Sequence, residues 1–416
     1  MLFRSGEIGA AGIGVERTGV GETGTERTCV GEFGVERTGV GEFGVEGIGA
    51  ERTGVGETGT ERTGTQETGT KETGTQETGA AEASRTRRPA NTLSRSGSWR
   101  RALVSALVTG AIVIPLSAAA RPEIPAPPPA ALAPLTPATL DEAYTANRAD
   151  AAEASRMAAA DGDDRRAAVD RAMADPDRDF LAFDGRGSGQ ATEVFGDLAH
   201  ADRVAVLVPG SDTTLDTYDR FRATALNLHR QLTRDAPNSR TAVVSWLGYA
   251  TPRTVSTTVL TATRADQAAP HLREFMRRLH TATGGGAHIT LVCHSYGTVV
   301  CGRAAPTLTT TDLAVSDIAL VGSPGTGADS VAGLHTRARV WAARGADDWV
   351  ADVPHVSADL FGTTVGFGTD PMSPAFGAHV FAAGDGGHSD YFSPGSASLA
   401  NLARIVLGDG SEVTHA

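Results

Sequence analysis

Apolar residues follow two regimes along this chain. From Gly14 to Ala80 they are sparse. Gly, Thr and Glu recur there every five residues, as in GVERT, GVGET and GTQET, a period that suits neither a helix nor a strand. Burial of so few large side chains cannot offset the entropy of ordering the backbone, so residues 1–92 are predicted to be disordered. From Asp179 onward the pattern changes. Phe180 to Phe183 and Ala191 to Phe195 read as two strands joined by the glycine-rich turn Gly185 to Gly189. Further strands are predicted at Arg203–Val208, Thr241–Leu247, the run containing Ile289 and Leu291, Ile318–Gly322, Arg339–Ala343 and His379–Ala382. Between them Phe221, Ala225, Leu228 and Leu232 lie at helical spacing, as do Ala265, Ala269, Leu272, Met276 and Leu279. Strands alternating with helices predict an α/β fold over residues 179–416, with a mostly parallel sheet covered by helices on both faces.

The segment between the two regimes divides into three. Arg95, Arg100 and Arg101 precede the apolar run Ala102 to Leu116, and Ser117-Ala118-Ala119-Ala120 follows with small residues. This is the layout of an export signal, so residues 93–120 are read as one, with cleavage after the small residues. The protein is then expected to be secreted or on the cell surface. Translation is expected to start near Leu93, with the repeat upstream of the true start. The alternative is a membrane anchor through residues 102–118, which Gly110 and Pro115 interrupt. Residues 121–138 are rich in Ala and Pro and read as a semi-rigid linker. Residues 139–178 are Ala-rich with spaced charges and a break at Gly162, which predicts a surface helical hairpin without chemistry, with a cover over one end of the later domain as the alternative.

Composition narrows the function classes. The net charge of -12 leaves no dominant basic face, so no nucleic-acid partner is expected. The three cysteines, Cys29, Cys293 and Cys301, show no zinc spacing, and no metal or cofactor is expected. Cys293 and Cys301 are expected to be buried thiols; export would let them pair.

The chemistry gathers around His288 to Arg303, which reads HITLVCHSYGTVVCGR. An apolar strand, then Cys293-His294-Ser295-Tyr296-Gly297, then an apolar helical run is the context of a nucleophile elbow. The turn must lift the serine oxygen above the sheet edge, and Gly297 lets strand and helix approach closely. A serine hydroxyl is a weak nucleophile at neutral pH; it needs a base, and the base needs an orienting carboxylate. After the strand Arg339–Ala343 comes Gly345-Ala346-Asp347-Asp348-Trp349-Val350, and after the last strand comes Gly384-Asp385-Gly386-Gly387-His388. The order serine, acid, histidine, each beyond a strand end, predicts a Ser295–Asp348–His388 triad, with Asp347 as the alternative acid. The oxyanion donors are expected at the N–H of Tyr296 and in the turn after Val208, at Ser211 or Asp212; Pro209 has no N–H to give. His294 is expected to pack or hydrogen-bond locally rather than bind a metal, and His355 and His379 lack ligand spacing. Trp246 and Tyr249 are expected to shape the pocket or core, and Ser323-Pro324-Gly325 to line the site. Little chain is available for a lid between Gly325 and Arg337. The segment Val353 to Ala378, with Phe361, Phe367 and Phe376, reads as an apolar wall.

The motifs FLAFDGRGSG, VAVLVPGSDTT, SWLGY, LVCHSYGTVV, ALVGSPG and HSDYF, in this order from Asp179 to Phe392, resemble an actinobacterial family of alpha/beta-hydrolases known only as a domain of unknown function. The resemblance implies the alpha/beta-hydrolase fold with Ser295, Asp348 and His388 as triad. It favours Asp348 over Asp347, because Asp348-Trp349-Val350 stands where such enzymes often carry Asp-Pro-Val. Cys293 replaces the usual glycine, and Trp349 that proline. The expected function is an exported serine hydrolase that cleaves a small-molecule carboxylic ester, short or exposed in its acyl part, through an acyl-enzyme. A peptidase or thioesterase could use the same groups. A binding or surface protein that keeps the fold without turnover is the reading from another class.

Overall fold

The computed structural model describes residues 124–309, 315–355, 358–360 and 363–416. The expectations for the repeat, the export segment, Cys29 and Phe361 lie outside these residues.

In chain order the elements are α1 (Leu140–Ala160), α2 (Asp164–Met173), β1 (Asp179–Asp184), β2 (Gln190–Phe195), β3 (Arg203–Val208), α3 (Tyr218–Asp235), β4 (Thr241–Leu247), α4 (Thr263–Ala282), β5 (His288–His294), α5 (Gly297–Ala304), β6 (Val315–Val321), β7 (Arg339–Ala343), β8 (Ala358–Leu360), β9 (Thr363–Val365), β10 (His379–Val380) and α6 (Ala397–Leu407). Eight strands form one sheet in the order β1-β2-β4-β3-β5-β6-β7-β10, and β8 pairs with β9 apart from it. β2 runs antiparallel to β1 and β4; the remaining pairs are parallel.

Successive strand residues face opposite ways, and in the central strands both sets are buried. Val204 and Val206 of β3, Leu291 of β5 and Ile318 of β6 share a core with Leu272 of α4 and Val299 of α5. Their neighbours Ala205, Leu207, Val292 and Ala319 share another with Leu228 of α3 and Leu402 of α6. Two-sided burial is why these strands are continuous apolar runs in the sequence.

The front of the domain departs from expectation. The predicted surface hairpin α1–α2 is built into the fold, with Ala151, Ala154 and Ala158 fully buried. Arg166 has no exposed surface and donates to the carbonyls of Gly185 (2.5 Å) and Gly187 (3.3 Å), to Asp170 (3.1 Å) and to Asp216 (3.4 Å). It thereby fastens α2 to the β1–β2 turn and to the segment leading into α3. The stretch read as a linker also packs: Leu135 lies in the core. Small alanines carry little hydrophobic signal, so close helix packing of this kind leaves a weak periodic trace.

Candidate active site

The reversal after β5 positions Ser295. Its backbone is left-handed, φ 54°, in a residue with a side chain, a strained state of about 1–3 kcal/mol that the surroundings must hold. They do so on both sides of the turn. The Ser295 N–H donates to the Val321 carbonyl (3.0 Å), and the Thr298 hydroxyl donates to the Ser295 carbonyl (2.7 Å). A Cβ on Gly297 would stand 2.5 Å from the Val208 carbonyl oxygen, so only glycine lets α5 start here. The same reversal folds α5 back along β5 and brings Cys293 and Cys301 to a Cα separation of 6.5 Å, where they form a disulfide. This corrects the expectation of two buried thiols: both sulfurs are buried, but the elbow aims them at each other.

Ser295, His388 and Asp348 meet at the carboxyl rim of the sheet. His388 Nε2 lies 2.8 Å from Ser295 Oγ, and its Nδ1 lies 2.9 and 3.1 Å from the two Asp348 oxygens. Asp348 is buried, whereas Asp347 is exposed. Asp348 collects further donors: the Val350 N–H at 2.9 Å and the Tyr391 hydroxyl in a short hydrogen bond. Burial alone would raise its pKa. The hydrogen bonds from His388 and Tyr391, joined by the Val350 N–H, outweigh burial and lower it to about 2. Tyr391 in turn accepts from the Gly345 N–H (3.1 Å), and burial pushes its own ionisation far upward, so it stays a donor.

His294 packs against His388. Burial and the neighbouring His388 lower its pKa to about 4, so near neutrality it is uncharged. Its Nε2–H donates to the His388 carbonyl (2.7 Å), and the two rings stand 4.7 Å apart. Trp349 lies on another side of His388, also at 4.7 Å between ring centres. His294 was expected to pack or bond locally, and it does; the roles of Tyr391 and Trp349 were not foreseen. Their only sequence signal is that they sit beside His388 and Asp348.

The turn after β3 runs against Ser295. A Cβ on Gly210 would fall 2.6 Å from Ser295 Cβ, so the backbone comes as close as glycine permits. Tyr249 fixes this turn by donating to the Pro209 carbonyl (2.7 Å). Of the two donors expected here, Asp212 turns its N–H to the Pro252 carbonyl (3.0 Å) and is spent. Among the described residues, the N–H groups of Ser211 and Tyr296 have no acceptor.

A cavity of about 820 Å³ opens above Ser295. It runs toward α3 at Phe221 and Thr224, and toward an apolar wall of Val259, Leu260, Phe367 and Val353. Pro324 lines it, as expected. The wall is built by the segment before α4 and by the chain around β8–β9, which are joined through Gly366 N–H to the Leu260 carbonyl (3.0 Å) and a bridge from Thr261 to Val365. His355 lies against Ser323 and Asp370, and the His379 ring tilts against Trp341; neither lines the cavity.

The strand order and the elbow point to one fold family, and residues 184–358 match a family described as alpha/beta hydrolase. The chain has an alpha/beta-hydrolase fold. The matched segment holds Ser295 and Asp348, while His388 and Tyr391 lie beyond it. Uncharacterized proteins of Mycobacterium tuberculosis, Rv2079 in strain H37Rv and MT2140 in strain CDC 1551, are 30% identical over 262 residues, which is 56% of this chain and 39% of theirs. The hydrolase thus spans well under half the length of these relatives. Among solved structures, esterase PE8 is similar with a TM-score of 0.37 and 17% identity, over 53% of this chain and 98% of that one. The serine hydrolase XC6422 of Xanthomonas campestris, described as lidless, has a TM-score of 0.32 and 14% identity over 53% and 87%.

Proposed function

We propose that the chain is an exported serine hydrolase that cleaves carboxylic esters through an acyl-enzyme. One observation carries this reading: a continuous hydrogen-bonded line from Ser295 Oγ through His388 to Asp348, ending on the floor of an apolar cavity. Ser295 Oγ attacks the ester carbonyl carbon while His388 Nε2 takes its proton. The developing oxyanion receives the free N–H groups of Tyr296 and Ser211. The C–O bond to the alcohol then breaks, and His388 returns the proton to the departing alkoxide. Water, deprotonated by the same imidazole, cleaves the acyl-enzyme and releases the acid. Asp348 stays ionised throughout and holds the Nδ1–H tautomer. The Cys293–Cys301 disulfide supports export, because disulfides persist in oxidising compartments.

A fluorophosphonate probe tests the nucleophile. The wild-type chain should be labelled at Ser295, and Ser295→Ala should not. Labelling that survives the substitution would remove Ser295 from the mechanism; an unlabelled wild-type would favour a fold kept without turnover.

A further inference from the structure

The cavity has an unusual rim. Among the described residues, the large hydrophobic side chains exposed to solvent are Val255 (96%), Leu260 (53%) and Trp349 (51%). Two of the three belong to the mouth of one cavity, and the third is next to it in the chain. Leu260 and Trp349 line it, and Val255 follows Thr254, which also lines it. An apolar group left in water on a rim, continuous with an apolar wall inside, marks a surface that meets something apolar.

We propose that this rim docks on a lipid surface carrying anionic headgroups, and that the substrate is an ester-bearing lipid drawn from that surface. The inference rests on the serine-hydrolase reading of the same site. Geometry decides the occupant. Anything seated on Val255, Leu260 and Trp349 covers the entrance to Ser295. A second copy or a protein partner would plug the cavity, whereas a lipid surface supplies it, since a chain leaving the surface passes directly along Val259, Leu260 and Phe367 toward Ser295. Charge agrees. The chain carries -12 overall, yet Arg253, two residues before Val255, and Arg220 of α3 at the same cavity are exposed, and neither guanidinium has a partner among the described residues. The nearby Asp212 carboxylate is engaged with the Thr254 N–H at 3.2 Å. Free guanidinium groups beside an exposed apolar cluster suit phosphates above and acyl chains below. Among the described residues no helix is long and apolar enough to cross a membrane. An 820 Å³ cavity also exceeds what a short acyl group needs, in contrast to the substrate expected from the sequence.

The test uses the full chain carrying Ser295→Ala, so that binding is read without turnover, on vesicles of phosphatidylcholine with phosphatidylglycerol. Co-sedimentation with these vesicles is expected, together with a blue shift of tryptophan emission that Trp349→Phe abolishes. Val255→Asp should weaken vesicle binding about tenfold or more. In the active chain, the same substitution should leave hydrolysis of monomeric p-nitrophenyl acetate unchanged and depress hydrolysis of a long-chain ester held in vesicles. Binding that ignores Val255→Asp, or no binding, overturns the proposal. So does a protein dimer that forms through this face and is indifferent to lipid. The two readings fail separately: fluorophosphonate labelling without vesicle binding sinks the lipid surface alone, and vesicle binding without labelling sinks the ester substrate.

Discussion

Tyr391 shows how one side chain can set the state of another. Its hydroxyl donates to the Asp348 oxygen while accepting from Gly345, which leaves the carboxylate surrounded by donors from Tyr391, His388 and Val350. Hydrogen bonds to a charged acceptor contribute about 1.5–3 kcal/mol. Tyr391→Phe should therefore cost about 2 kcal/mol of stability at neutral pH. The sign in acid follows from the depressed pKa: Asp348 stabilises the fold above its unfolded value near 3.8, and that contribution is lost as pH falls through about 2. Without Tyr391 the folded pKa rises, so the midpoint of acid unfolding, followed by circular dichroism, should move to higher pH. His294 acts in a different window. Its folded pKa of about 4 lies below the usual 6.5, so its contribution is complete above pH 6.5 and fades as pH falls toward 4. His294→Phe should flatten the loss of Tm between pH 7 and pH 4.5. It should also lower kcat more than it raises KM, because the His388 carbonyl loses its donor. An unchanged pH profile would deny His294 this role.

At the scale of elements, the elbow is a strained serine held between β5 and α5, and the Cys293–Cys301 disulfide closes an eight-residue separation across it. A loop of this size is worth about 2–3 kcal/mol in the chain-entropy account. The Cys293→Ser, Cys301→Ser pair should lose about that much in denaturant unfolding, and reductant should have no further effect on it. The strands were legible because burial on both faces makes them apolar throughout, and the meeting of Ser295, Asp348 and His388 because the three stand at three strand ends in a recognisable order. The cavity walls were harder. The segment before α4 and the chain around β8–β9 have neither a 3.6-residue nor a two-residue pattern. The disulfide escaped because two buried cysteines read alike whether joined or free. Tyr391 escaped because an aromatic residue after a histidine reads as core; its hydroxyl is what matters, and periodicity does not see it.

At the scale of the molecule, one buried cation holds the front of the domain to the segment leading into α3. Arg166 joins α2 to the β1–β2 turn and to Asp216, just beyond the turn that carries Ser211. Removing a buried cation leaves Asp170 without its partner, and that carboxyl, raised by burial to about 6, already titrates near neutrality. Arg166→Met should lower stability by about 3–5 kcal/mol, measured by urea unfolding. The stability of this variant should decline further as pH rises through 6, because a carboxyl with a raised pKa favours the fold only while protonated.

The helical hairpin has one more effect, at the margin of the sheet. Asn147 of α1 donates to the Phe180 carbonyl of β1 (2.8 Å), and at the opposite margin Phe381 is bridged by His415. An outermost strand with bare amides and carbonyls invites another chain to extend it. Here each margin has a backbone group taken up by the protein itself, Phe180 by the Asn147 side chain and Ala382 by the Thr414 carbonyl. Molecules crowded side by side should therefore remain separate rather than zip together into aggregates.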